Sequence, residues 1–213
     1  LAVESVRLSW WYALLALRTG RTDLARRIIG RLGPPSPVAH MTGPLAAALD
    51  ALPSGEGAPA PRIGGDRTVS VAVVRQPDAE ATLVMFAGLL GGVNHLPFEM
   101  IDPLVSRLPV NVVYLRDPRG LGFLRGVPGL GADEASSIAA LSALVDELGA
   151  ERVVTAGSSI AGYAATRWGL GIGADATVSF AGPASLGAGA AEESPANRNV
   201  ALGMAELRAV AGG

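Results

Sequence analysis

The sequence predicts an α/β domain with a mostly parallel sheet and helices on both faces, preceded by a small N-terminal α-helical hairpin. From residue 68 onward, strand-like apolar runs alternate with helical patterns, which is typical of parallel strands joined by right-handed crossovers. Residues 51–67 are rich in proline, glycine and alanine without periodicity, as linkers are. We therefore expect a helical segment over 1–50, the linker 51–67 and the α/β domain over 68–213.

Composition excludes several kinds of chemistry. The 213 residues are 49% hydrophobic and 17% charged, enough apolar material for a sizeable core. The net charge of −2 gives no indication of a nucleic-acid partner. Lysine and cysteine are absent, which excludes a Schiff-base lysine, a thiolate nucleophile and a thiolate metal site. The chain has only two histidines, so we expect no metal centre. Arginine replaces lysine throughout the chain, which indicates a GC-rich, bacterial-like composition.

Two helices are expected between residues 4 and 32, with a turn at 18–23. Gly33 and the prolines after it end the second helix. Residues 12–37 resemble a single tetratricopeptide repeat, with a turn glycine at Gly20, the small Ala25 and closing prolines. An ordinary helical hairpin and a membrane-surface helix are the alternatives. The apolar positions at helical spacing are Leu8, Trp11, Leu14, Leu15 and Leu17, followed by Leu24, Ile28, Ile29 and Leu32.

One such repeat cannot bury its own apolar face. Either further repeats precede Leu1, or the hairpin packs on the α/β domain. In either case these helices could bind a protein partner. The apolar run at 10–17 is far shorter than the ~20 residues of a membrane helix, so we expect no membrane span and a cytoplasmic location.

Five strands and three helices are expected after the linker. The strand-like runs cover 69–74, 83–86, 110–115, 153–156 and 176–180. The helical patterns cover about 96–107, 133–148 and 160–170. Pro103 should shorten or kink the first of these helices. Acidic residues open the second helix and Gly149 closes it, as dipole and capping effects favour.

A sharp corner is expected at GSSIAG, residues 157–162. A serine held at a strand-to-helix corner needs strained backbone angles and small residues two positions to either side. Counted from Ser159, those neighbours are Gly157 and Ala161, whereas from Ser158 one of them is the β-branched Ile160. The spacing predicts Ser159 at the corner with a positive φ. The alternative is a tight bend filled by two small residues.

Residues 68–186 resemble the α/β-hydrolase fold superfamily, with GSSIAG as its nucleophile elbow. The loop 86–95 (FAGLLGGVNH) and the turn 114–122 (YLRDPRGLG) are similar to the family's oxyanion loop and its acidic, glycine-rich turn. The resemblance implies a serine hydrolase that acts on an ester or thioester, with a small-molecule acyl substrate and no cofactor. It also implies Ser159 as the nucleophile, with the backbone N–H groups of Ile160 and Leu89 as oxyanion-hole donors.

The triad histidine is missing from its family position. The family order is serine, acid, histidine, and no histidine follows Ser159. We therefore expect an incomplete chain whose acid and histidine lie outside it, and little or no activity of these residues alone. Asp175 should lie at the opposite end of the sheet. His95 is the one histidine that could approach the site, as a catalytic or substrate-contacting group or simply as a loop residue.

Two further interpretations remain open at this level. Arg116 and Arg119 flank Asp117. These arginines could contact an anionic substrate, in which case Arg119 is the candidate substrate-binding residue, or they could form local salt bridges. The alternative to a hydrolase is a non-catalytic α/β-hydrolase-like scaffold whose helical segment recruits a protein, because a fold does not fix a function.

Overall fold

The computed structural model describes residues 3–33, 38–52, 59–88 and 91–182. It begins with three helices, α1 (Val3–Arg18), α2 (Thr22–Arg31) and α3 (Ala39–Ala51). The first two lie where the apolar spacing predicts them. The third was not predicted individually. Gly43 and Pro44 lie inside it, and both residue types disfavour helix interiors.

The remaining elements follow the predicted order. They are β1 (Val71–Val74), β2 (Ala81–Phe86), β3 (Gly92–Val93), β4 (Leu96–Pro97), α4 (Phe98–Val105), β5 (Val110–Leu115), α5 (Glu134–Leu148), β6 (Arg152–Ser158), α6 (Ile160–Gly171) and β7 (Ala176–Phe180). Helix α4 is short and contains Pro103, as expected. Asp133 caps α5 by accepting the Ser136 N–H, and Gly149 ends the helix with a φ of 70°. The β3–β4 hairpin is an addition to the prediction.

The five main strands form one mostly parallel sheet in the order β1-β5-β2-β6-β7. Only β1 runs antiparallel, against β5, while the other neighbouring strands are parallel. Phe86 pairs with Leu115 on one side and with Gly157 on the other. The carboxyl ends of β2, β5 and β6 therefore lie at one edge of the sheet.

Helices cover both faces of the sheet, which confirms the predicted α/β class. Alternate residues of a strand face opposite sides, so Val84 and Phe86 pack with α5 and α6, whereas Met85 packs with α4. Trp168 of α6 is fully buried, and its ring lies edge-on to Phe86 with the ring centroids 5.6 Å apart.

The N-terminal helices pack on the α/β domain rather than standing apart. Leu96 of β4 belongs to the same buried cluster as the apolar residues of α1, α2 and α3. Met100, Ile101 and Leu104 of α4 pack against that cluster. Of the two arrangements left open by the sequence, the structure shows a helical segment that shares its core with the domain. Among the described residues, no helix is both long enough and apolar enough to cross a bilayer.

Arg62, near the end of the linker, hydrogen-bonds the buried carboxylate of Asp102 in α4. Arg62 donates hydrogen bonds to Asp102 from its guanidinium, at 2.8 Å, and from its backbone N–H, at 2.6 Å. Tyr114 donates its hydroxyl to the same carboxylate at 2.7 Å. Burial by itself raises the pKa of Asp102, but the hydrogen bonds from Arg62 and Tyr114 outweigh it and hold that pKa below its usual value.

Candidate functional site

Ser159 lies at the corner between β6 and α6. Its φ of 55° and ψ of −130° belong to a region that non-glycine residues rarely occupy. The strand ends at Ser158 and the helix begins at Ile160, so Ser159 alone makes the turn. The predicted corner and positive φ are confirmed, and the side chain is exposed at the carboxyl edge of the sheet.

The corner depends on the small residues around it. A Cβ added at Gly157 would lie 2.2 Å from the carbonyl oxygen of Ala161, a distance that no side chain tolerates. A Cβ at Gly162 would lie 2.5 Å from Ser179 Oγ. Ala161 is fully buried. The expectation of small residues two positions before and after Ser159 therefore matches a real close approach of strand and helix.

The two adjacent serines have different environments. Ser158 is buried, and its Oγ accepts a hydrogen bond from the backbone N–H of Asn94 at 3.0 Å. Ser159 donates its backbone N–H to the carbonyl of Phe180 at 2.9 Å, which fixes the corner while the hydroxyl stays exposed. Of the two serines, Ser159 is therefore the exposed one.

The β3–β4 hairpin brings Asn94 and His95 to this corner. Both turn residues have positive φ, 47° at Asn94 and 73° at His95, as the two central residues of a type I′ turn require. Asn and His are among the residues that tolerate this region best. A Cβ at Gly92 would overlap the carbonyl of Leu96, so the hairpin needs glycine there. The sequence feature that could have predicted this hairpin is the pair Asn94-His95 between Val93 and Leu96.

A cavity of about 330 Å³ joins these residues, and we call it the serine cavity. It brings together Ser159 and His95, which the sequence placed in separate motifs. It is lined by Gly88, Gly92, Asn94, His95, Ser158, Ser159 and Ala181.

One predicted oxyanion donor can be placed and the other cannot. Ile160 is the first residue of α6, and the first N–H groups of a helix have no partner within it. Leu89 lies outside the described residues. The neighbouring Gly88 donates its own N–H to the carbonyl of Gly92 at 2.8 Å, so this amide is already engaged.

His95 is partly buried between the serine cavity and α1. Its ring lies edge-on to Trp10, with centroids 5.6 Å apart. Burial lowers the pKa of His95, so the ring is neutral at pH 7 and able to accept a proton. Within the described part of the chain, no carboxylate hydrogen-bonds this ring, and no hydrogen bond joins it to Ser159.

The other predicted residues lie away from the corner. Arg119 donates to the carbonyl of Arg125 at 2.8 Å and does not line the serine cavity. Arg116 is buried and pairs with Glu99 at 2.7 Å. Asp175 accepts the Val153 N–H at 2.7 Å just before β7, at the sheet edge opposite Ser159, as expected.

The strand order places Ser159 where the connections diverge. The β2–β5 connection passes through α4 on one face of the sheet, whereas the β6–β7 connection passes through α6 on the other. Because β2 and β6 are neighbours, the loops leaving their carboxyl ends turn away from each other. Open α/β sheets bind ligands in the crevice at such a point.

No family model, curated protein or solved structure matches this chain. The described residues also contain no cluster of three side chains suited to a metal ion.

Proposed function

We propose that this chain is a serine hydrolase of the α/β-hydrolase type that acts on a small-molecule ester or thioester. The observation that carries the proposal is the backbone of Ser159, with its φ of 55° and ψ of −130° between a central parallel strand and a helix. Strain of this kind persists only where the surroundings hold it in place. Here Gly157 and Ala161 provide the close contact, and the result is an exposed hydroxyl.

The chemistry follows from the groups around that hydroxyl. Ser159 Oγ attacks the acyl carbon, its proton passes to a base, and the alcohol or thiol leaves with a proton. Water then hydrolyses the acyl-serine and restores the hydroxyl. The N–H of Ile160, at the positive end of α6, stabilises the tetrahedral oxyanion, a contribution typically worth a few kcal/mol per donor.

The proposal includes weak activity for these 213 residues alone. A serine hydroxyl is a poor nucleophile without a hydrogen-bonded base, and Ser159 has no such partner among the described residues. His95 is neutral and shares the serine cavity, so it is the first candidate for any residual proton transfer.

A fluorophosphonate probe tests the proposal, because the rate at which it modifies a serine hydroxyl rises with the nucleophilicity of that hydroxyl. We expect slow labelling of the chain, with the modified residue mapped to Ser159 by mass spectrometry. Ser159→Ala should abolish labelling, whereas Ser158→Ala, the matched control in the adjacent position, should retain it. His95→Asn keeps a residue that tolerates the positive φ and should slow labelling further if His95 accepts the proton.

Two results would count against the hydrolase. One is complete inertness of Ser159 at high probe concentration in a folded chain. The other is labelling that persists in Ser159→Ala. Rapid stoichiometric labelling would instead show that Ser159 has an effective base, and His95 would be the first residue to replace.

The non-catalytic scaffold is favoured by one observation. Helix α1 exposes four large apolar side chains on one face, at spacings of three and four residues, and these are Leu8, Trp11, Tyr12 and Leu15. Exposed stripes of this kind mark protein-binding surfaces. Copurification of a defined protein partner that Trp11→Glu releases, together with an inert Ser159, would favour this function.

A further inference from the structure

A second cavity adjoins the serine cavity. Its volume is about 380 Å³, within the range of about 300–1,000 Å³ typical of ligand pockets. The two cavities share Asn94 and His95. The two spaces therefore meet at the hairpin turn, and we call this second one the apolar cavity.

The walls of the apolar cavity come from two parts of the chain. Helix α3 contributes Met41, Leu45 and Ala48, and the α/β domain contributes Val93, Leu96 and Ile101. The N-terminal segment therefore forms one side of a space whose other side is the loop and helix after β2. This explains why its core is continuous with Leu96 and α4.

The lining is mostly apolar, with Asn94 and two histidines as its polar residues, and it carries no fixed charge among the described residues. Its only titratable side chains are His40, which is exposed, and His95, whose pKa burial lowers. A charged ligand would lose hydration there and find no fixed opposite charge among these residues. An aliphatic chain loses nothing of this kind and gains by leaving water.

We propose that the apolar cavity binds the aliphatic acyl chain of the substrate, and that α3 sets the chain length accepted. The proposal rests on the proposed function, since Ser159 holds the acyl carbon at the other end. Each methylene that enters the cavity should strengthen binding about fourfold until the cavity is full. Longer chains should then gain nothing more.

Straight-chain primary amides from butanamide to decanamide test the proposal without requiring catalysis. They carry the carbonyl and the chain but no labile leaving group, and isothermal titration calorimetry of the 213-residue chain measures their affinity. We expect about a fourfold gain per methylene followed by a plateau. Ala48→Phe fills the cavity and should weaken binding of the longest amides at least tenfold. Ala47→Phe is the matched control, because Ala47 is the adjacent exposed residue outside the lining.

A second variant protects the test against misfolding. Met41→Gln keeps the side-chain length but places an amide in the cavity, and it should also flatten the dependence on chain length. Circular dichroism and thermal unfolding verify that each variant folds. Affinity that does not depend on chain length in the wild type, or equal binding by folded Ala48→Phe and Ala47→Phe, would overturn the proposal.

The results separate this proposal from the hydrolase proposal. Chain-length-dependent binding with an inert Ser159 would support the cavity and contradict the hydrolase. Labelling of Ser159 together with amide binding that does not depend on chain length would support the hydrolase and contradict the cavity proposal.

Discussion

Gly157→Ala should damage the corner more than any other single methyl group added to it. The new Cβ would lie 2.2 Å from the carbonyl oxygen and 2.5 Å from the carbonyl carbon of Ala161. Both are backbone atoms of α6, so no side-chain rotation relieves the overlap and the strand and helix must separate. Overpacking typically costs about 1–3 kcal/mol, and more where the backbone must shift, so we expect a loss of about 3 kcal/mol. At ~2–4 °C per kcal/mol for a chain of this size, Tm should fall by about 6–12 °C.

Urea denaturation and thermal unfolding followed by circular dichroism measure this effect. Gly30→Ala is the matched control, since Gly30 lies in α2 with nothing within 4 Å of an added Cβ. That variant should be more stable than wild type by about 0.5–1 kcal/mol, because alanine is favoured over glycine inside a helix. An unchanged stability of Gly157→Ala would mean that strand and helix do not approach as closely as described.

Two further changes test the packing and the linker anchor. Ala165→Leu should lower the free energy of unfolding by about 1–3 kcal/mol in urea denaturation, because Ala165 of α6 is fully buried against the sheet. Ala47→Leu, at an exposed position of α3, should be nearly neutral, and equal stabilities of the two variants would contradict the placement of α6. Asp102→Asn should lower the free energy of unfolding by about 1.5–3 kcal/mol, because it weakens the hydrogen bonds that Arg62 and Tyr114 donate to this side chain. Because the pKa of Asp102 is lowered on folding, its contribution is present above about pH 4 and is lost as the pH falls towards the lowered value. The difference in the free energy of unfolding between wild type and Asp102→Asn should therefore shrink as the pH falls below about 4. A difference that does not change with pH would contradict this account of Asp102.

Local patterns were sufficient to predict most of the α/β domain. The apolar runs predicted the five main strands, and the reason is clearest for β2 and β5, because central strands of a parallel sheet are buried on both faces and need continuous apolar residues. The corner at Ser159 was predictable because only small residues allow a helix to turn back so tightly, and Gly157 and Ala161 stand at the required spacing. The short α4 followed from Pro103.

The rest of the site depends on contacts between distant segments. Nothing in the α3 sequence indicates that Met41 and Ala48 line a cavity beside His95, and Pro44 is a residue type that disfavours a helix interior. The hairpin turn at Asn94-His95 could have been found from its residue types, but its hydrogen bond to Ser158 could not. No acid or base hydrogen-bonds the Ser159 hydroxyl among the described residues, so neither the sequence resemblance nor the geometry identifies the groups that would activate it.

A crystal structure of the chain after reaction with a long-chain alkyl fluorophosphonate tests the central claim most directly. The account predicts a bond from phosphorus to Ser159 Oγ, with a phosphonyl oxygen about 2.7–3.1 Å from the Ile160 N–H and the alkyl chain in the apolar cavity beside Ala48. A phosphonyl group on any other residue would contradict the account, and so would an oxygen that points away from the first turn of α6.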